Sequence, residues 1–178
     1  MSDVTIHIAS AAERKLVENL FQFYVYDFSE FASVATAEFE FAENGQFAPS
    51  HVMDAYWTDA GRRPLLIRSG TRLVGFALLN KHAHSGAVVD WNMGEFFIAR
   101  KFRRSGMASS ALRKILAAYP GVWEIAVARR NAPAKEFWPK AIGAAPNVTG
   151  ISSQEINDDR WRGPIWTFAA AAGPHQAP

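Results

Sequence analysis

Residues 94–118 read GEFFIARKFRRSGMASSALRKILAA: an apolar run, a basic turn holding one glycine, and a helical pattern. Basic turns before helices are common, but this one places Arg100, Lys101, Arg103 and Arg104 directly before a helix start. The first amides of a helix lack intrahelical acceptors, and the aligned peptide dipoles leave a partial positive charge there. Basic side chains and free amides together make a seat for an anion. Gly106 has no Cβ and lets a ligand approach the backbone, and Ala108 is nearly as small. The segment therefore reads as a cradle for a pyrophosphate, with a solvated basic turn as the plainer alternative.

The rest of the chain supplies a mixed α/β frame. VTIHIA (4–9) alternates like a strand. Ser10 and Glu13 have capping-box spacing ahead of a helix whose apolar stripe is read as Leu16, Val17, Leu20, Phe23 and Tyr24, with Arg14, Lys15 and Glu18 on its polar side. Residues 27–49 lose regularity and mix Phe28, Phe31, Phe39, Phe41 and Phe47 with acids; long irregular connections are often functional. A short helix follows, capped by Ser50 and ended by Gly61. PLLIR and TRLVGFALLN, joined through Ser69 and Gly70, form a hairpin. VVDWNMGEFFIAR (88–100) is a further strand in which Gly94 marks a bulge or a close backbone approach. A helix over 106–118, a strand over 122–128, a helix capped by Asn131 and limited by Pro139 and Gly143, and two strands near 148–156 and 164–168 complete the pattern.

With 178 residues, 49% hydrophobic and 20% charged, the chain suits one core. A single domain over 1–170 is expected, with 171–178 a disordered tail. The net charge of +2 gives no whole-molecule case for nucleic acid or membrane. The absence of Cys removes disulfides, thiolate nucleophiles and Cys-ligated zinc, and is compatible with a reducing cytoplasm. MSDVTIHIAS does not read as a signal peptide, and no apolar run approaches the roughly 20 residues of a membrane span. His82 and His84 supply half a metal site with no third ligand near, so a flexible loop is expected there and no metal. Neither Gly-x-x-x-x-Gly-Lys-Ser/Thr nor Gly-x-Gly-x-x-Gly opens a helix.

Arg103-x-x-Gly106-x-Ala108, preceded by EFFIARKF, resembles the Arg/Gln-x-x-Gly-x-Gly/Ala signature of the GNAT superfamily of N-acetyltransferases. VWEIAVARRNAPAKEFWPKAIGA resembles that family's fifth strand and its Asn-x-x-Ala-x-x-Phe-Tyr/Trp-x-Lys-x-Gly helix, and FQFYVYDFSEF is similar to an uncharacterised bacterial branch. The resemblance implies a mostly antiparallel sheet of about six or seven strands, helices on both faces, and splayed fourth and fifth strands. It implies acetyl-CoA held by Arg103, Arg104, Ser105, Gly106, Met107 and Ala108 at the pyrophosphate. The pantetheine would lie along Phe96, Phe97 and Ile98 and beside Asn131, Phe137 and Trp138.

Acetyl transfer by direct attack needs a neutral amine and a proton acceptor near pH 7. Glu95 is the candidate base, with a solvent-facing strand position as the alternative and Asp90 or Asn92 as substitutes. The family's usual helix tyrosine is replaced by Trp138, which has no labile hydroxyl, so the general acid stays unassigned; Tyr24, Tyr26 and Tyr119 are substitutes. Asp27, Glu30, Glu38, Glu40 and Glu43 give the irregular region an acidic cast that fits a cationic primary amine, small molecule or peptide. Two other readings are a non-catalytic acyl-CoA-binding module of the same fold and nucleic-acid binding through Arg100–Arg104 and Arg129–Arg130. The acceptor's identity, the acyl length and the oligomeric state, a homodimer included, stay open.

Overall fold

The computed structural model describes residues 3–35, 39–47 and 53–173. Seven strands form one sheet: β1 Val4–Ile8, β2 Arg63–Ser69, β3 Arg72–Asn80, β4 Trp91–Ile98, β5 Gly121–Ala126, β6 Val148–Asn157 and β7 Arg162–Ala170. Their spatial order is β1-β2-β3-β4-β5-β7-β6. Every neighbouring pair is antiparallel except β4–β5, which is parallel and pairs only at Trp91 with Trp123 and Asn92 with Glu124. Beyond those residues the two strands diverge, and the edge of β4 from Met93 onward has no strand beside it on that side. The splay is what opens the centre of the sheet.

Strand alternation sends successive side chains to opposite faces, and each face carries its own helices. Leu65, Ala77, Leu79, Trp123 and Ile125 pack with α3 (Met107–Ala118) and α4 (Ala132–Gly143) through Leu112, Ile115, Leu116, Trp138 and Ile142. Leu66, Phe76, Leu78 and Phe97 pack on the other face with α1 (Arg14–Phe28) through Val17 and Phe21, and with the single turn α2 (Ala55–Thr58) through Tyr56. Among the described residues no helix is long and apolar enough to cross a membrane.

Several elements depart from the sequence expectation. Leu16, Val17, Leu20 and Tyr24 of α1 pack inward as read, but Phe21 joins them in place of Phe23, which is 62% exposed. Glu18, expected on the polar side, is buried and accepts from both Arg14 and Lys15, which explains how a carboxylate sits on the inner flank. α1 runs on to Phe28 and ends in a 3-10 turn, Ser29–Phe31, so the irregular stretch begins later than its composition implies. Glu13 takes both the amide and the hydroxyl of Ser10 on its carboxylate, opening the helix as expected. Pro139 lies inside α4 without ending it, and Gly143 is its last residue. The predicted Ser50 cap, Glu38 and the tail from 174 lie outside the described residues, and only a single turn of the predicted 50–60 helix is seen. Residues 88–90, read as the start of the 88–100 strand, lie outside it: Val88 is fully exposed, and β4 runs Trp91–Ile98.

β4 carries the predicted bulge. Leu78 faces Glu95 while Leu79 faces Met93, so Gly94 is the extra residue. A Cβ at Gly94 would stand 2.5 Å from Asn80 Nδ2, 3.0 Å from Tyr56 Oη and 3.1 Å from the Leu78 carbonyl oxygen. The bulge reverses the alternation, so Met93 faces the α3–α4 core and Glu95 turns toward α1.

Candidate active site

The splay of β4 and β5 opens into a cleft of about 1050 Å³ walled by α1, β4, β5, α4 and the start of α3. Glu95, Phe96, Phe97, Ile98, Arg103, Arg104, Ala108, Asn131, Phe137 and Trp138 all line it. Ser105, Gly106 and Met107 do not: the Ser105 hydroxyl donates to the Phe102 carbonyl, and Met107 packs against Ile98 and Ala111 in the core. Gly106 caps α3 with φ 83°, no side chain caps it, and the first bond back into the helix is Ser110 N–H to Gly106 O. A Cβ on Gly106 would meet nothing within 4 Å, so this turn faces open space. Arg104 also has a left-handed φ, 58°, which costs a non-glycine residue roughly 1–2 kcal/mol and turns the chain sharply before the helix.

The basic run is largely committed inside the protein. Arg103 donates from Nε to the Ile98 carbonyl at 2.8 Å, and its terminal nitrogen pairs with Asp27; Arg100 donates to the other Asp27 oxygen at 2.9 Å. Arg129 pairs with Glu155, and Arg130 reaches across the cleft to the Phe31 carbonyl at 3.2 Å. Two expectations change on this geometry. Asp27 is neutralised by two guanidinium groups and holds the end of α1 to the β4–α3 turn, so it is not a free acidic lure. In the Arg100–Arg104 and Arg129–Arg130 cluster, Arg100, Arg103 and Arg129 meet carboxylates, while Lys101 and Arg104 make no ion pair among the described residues.

Glu95 lines the cleft and accepts a hydrogen bond from Tyr24 Oη of α1. Burial among apolar neighbours raises its carboxyl to about 7, and the Tyr24 hydrogen bond pulls the other way. Burial pushes the Tyr24 phenol well above its usual value, and the neighbouring Glu95 pushes it further. The phenol therefore keeps its proton and acts as donor. The alternative of a solvent-facing Glu95 is not what the fold shows. Asp90 caps β5 by accepting from Val122 N–H at 2.8 Å, and Asn92 is buried against Asn80, so neither faces the cleft. Tyr26 packs with Phe47 on the outer side of α1, and Tyr119 meets Trp91 edge-on at the end of α3. Asn131 Oδ1 accepts from Ala134 N–H at 3.1 Å, capping α4 as expected while lining the cleft. Phe96, Phe137 and Trp138 form one aromatic group on the α4 side.

Two features of the site were not anticipated. The loop between β3 and β4, expected to be flexible, is pinned: the fully buried Glu124 accepts from His84 N–H at 2.6 Å, from Ser85 N–H and from the Ser85 hydroxyl. A lone acid inside the apolar strand VWEIAVA was the available signal. The pinned loop sets the His84 ring 4.2 Å from the Trp161 ring, both at the cleft. Among the described residues no group of three or more potential metal ligands occurs.

Comparison with known proteins agrees with this architecture. The sequence model of the Acetyltransferase (GNAT) family matches residues 28–144. No curated protein matches the sequence. An acetyltransferase from Thermus thermophilus is similar in structure, with TM-score 0.66 and 13% identity over 95% of this chain and 97% of that one. Spermidine N-acetyltransferase from Vibrio cholerae, solved with CoA and spermine, gives TM-score 0.57 and 12% identity over 96% of each chain. A candidate acetyltransferase from Salmonella typhimurium, solved with its cofactor acetyl-CoA, gives 0.54 and 14% over 99% and 98%. With the sequence match spanning the splayed strands, the basic turn and both flanking helices, the chain belongs to the GNAT family of acetyltransferases.

Proposed function

We propose that this protein transfers the acetyl group of acetyl-CoA to a primary amine by direct attack, with Glu95 as proton acceptor. The observation that carries the reading is the Glu95–Tyr24 pair: a carboxyl held near neutrality, at the point where β4 and β5 part, is matched to taking a proton from an amine at physiological pH. The residues present fit the cofactor. The uncapped turn before α3 faces open space, and Arg104 and Ala108 border it, so a diphosphate would meet backbone amides and the Arg104 guanidinium. Arg103 shapes that turn from behind through Ile98 and Asp27 and does not reach for the phosphates. The unpaired edge of β4 from Phe96 to Ile98 offers its peptide groups to an extended chain, as an added strand would use them, with Phe137, Trp138 and Asn131 opposite.

Bound acetyl-CoA supplies an activated acyl carbon and a good leaving group. The amine nitrogen forms the new C–N bond, the C–S bond breaks with its electron pair leaving on sulfur, and the amine proton passes to Glu95. Tyr24 holds the Glu95 carboxyl in one rotamer with its free oxygen toward the cleft. No cysteine exists to carry the acetyl group, which leaves attack on the thioester as the route. A non-catalytic binding module would have no use for a carboxyl kept near pH 7 beside a phenol.

Titration calorimetry with acetyl-CoA and a thiol-release assay over a panel of amines test the reading together. Glu95→Gln is expected to bind acetyl-CoA as the parent does and to lose roughly 10²–10⁴-fold in kcat at pH 7. An active Glu95→Gln with an unchanged pH profile removes Glu95 from the mechanism; no acetyl-CoA binding at millimolar concentration removes the enzyme assignment.

A further inference from the structure

The cleft is basic at the start of α3, and rings line the wall that the end of α1 forms. Along α1 the rings of Tyr24 and Phe28 lie 4.8 Å apart and those of Phe28 and Phe31 5.9 Å apart. His84 and Trp161 line the same cleft. Both walls are built and anchored. Arg130 holds the Phe31 carbonyl, and Asp27 ties the same end of α1 to Arg100 and Arg103. Glu124 pins the His84–Ser85 backbone, Arg160 donates to the Ser85 carbonyl at 3.2 Å, and Trp161 Nε1 donates to the Val127 carbonyl at 3.3 Å.

Charge in the cleft points the same way. Asp27, Glu30 and Glu95 are the carboxylates lining the cleft among the described residues. Asp27 is taken by two arginines, and Glu95 is reserved for the reacting amine. Glu40 and Glu43 are exposed and do not line the cleft. Burial, then the neighbouring His82, push the His84 imidazole below its usual value, so that wall is neutral at pH 7. A polyamine would bring further ammonium groups into a cleft where Asp27 compensates only one of Arg100 and Arg103 and Arg104 adds another charge, with Glu30 the one further carboxylate among the described residues. Flat rings, in contrast, gain from offset and edge contacts with aromatic walls.

From this geometry we infer that the acceptor is a primary amine borne on a flat aromatic group, seated between the Phe28–Phe31 edge and the His84–Trp161 pair. The inference rests on the transferase reading above and narrows it to a substrate class. The comparison is kcat/KM by thiol release for 2-phenylethylamine, n-butylamine and spermidine, with calorimetry of each amine against the protein saturated with CoA. The aryl amine is expected to exceed both others at least tenfold in kcat/KM and to bind most tightly. Spermidine or butylamine performing as well overturns this inference and leaves the transferase intact, whereas no turnover of any amine, with acetyl-CoA bound, overturns both. Trp161→Ala is expected to bring the aryl-to-alkyl ratio toward one without altering acetyl-CoA affinity, and Trp161→Phe to restore most of it. An unchanged ratio in Trp161→Ala takes that wall out of the site; if that variant fails to fold, Phe31→Leu reads the α1 wall in the same way.

Discussion

Glu95 and Glu124 sit on adjacent strands, and the protein treats them in opposite ways. Glu124 is fully buried and meets three donors from His84 and Ser85, so its charge is satisfied and its oxygens are occupied. Glu95 receives a single donor, Tyr24, and its remaining acceptor capacity faces the cleft. Hydrogen bonds to the ionised form favour it, so removing the phenol must raise the Glu95 pKa further from its ordinary 4.5. A base works only when deprotonated; the acidic limb of kcat/KM is therefore expected near pH 7 in the parent protein and above that in Tyr24→Phe. At pH 7 the variant should be slower by about tenfold, and much of the loss should return at pH 9. A pH–rate series on both proteins decides this: a uniform loss with the limb in place would make Tyr24 a packing residue only.

At the scale of elements, the site depends on one extra residue in β4. The Gly94 bulge lets Met93 face the α3–α4 core while Glu95 faces Tyr24, two residues along a strand that would otherwise share a face. The space that a side chain at 94 would need is filled by Asn80 and Tyr56, which are bonded to each other at 2.9 Å, and by the Leu78 carbonyl. Gly94→Ala must open that contact. It is expected to destabilise the fold by about 1–3 kcal/mol and to lower kcat more than it weakens acetyl-CoA binding, because the displaced element carries the base and not the diphosphate seat. Gly143→Ala is the control, since a Cβ there meets nothing. Equal melting temperatures for the two variants, measured by calorimetry, would show that the bulge tolerates a side chain. The bulge itself was legible in the sequence because glycine inside an apolar strand has few other uses. The same holds for the 70-region hairpin and the start of α3, where local spacing decides the structure. The inner face of α1 was legible through Leu16, Val17, Leu20 and Tyr24 but not in its choice of phenylalanine: Phe23 and Phe21 are equally apolar, and only the position of Phe76 and Tyr24 selects Phe21. Nor was the 81–90 loop, whose order comes from Glu124, about forty positions away in the chain.

For the molecule as a whole, a carboxyl raised to about 7 is a stability cost as well as a catalytic asset. Below pH 4.5 the group is protonated whether the chain is folded or not, and it has no effect on folding. Between 4.5 and 7 the unfolded chain loses its proton first, so folding must take one up and stability falls as the pH rises. Above 7 the loss is complete and constant, on the order of 3 kcal/mol for a shift of this size. Glu95→Gln keeps the shape and removes the titration. It should therefore melt with the parent at about pH 4.5, diverge upward through roughly pH 5–7, and stand several degrees above it at about pH 8, while having lost its activity. Other groups shift the melting curve of both proteins alike; Glu13, drawn down to about 2 by the Ser10 amide, acts at the acid end and cancels in the difference. The difference between the two curves thus isolates Glu95. A difference that stays flat across that whole range would mean that this carboxyl is solvated, and a solvated carboxylate beside the splayed strands has no claim to be the base.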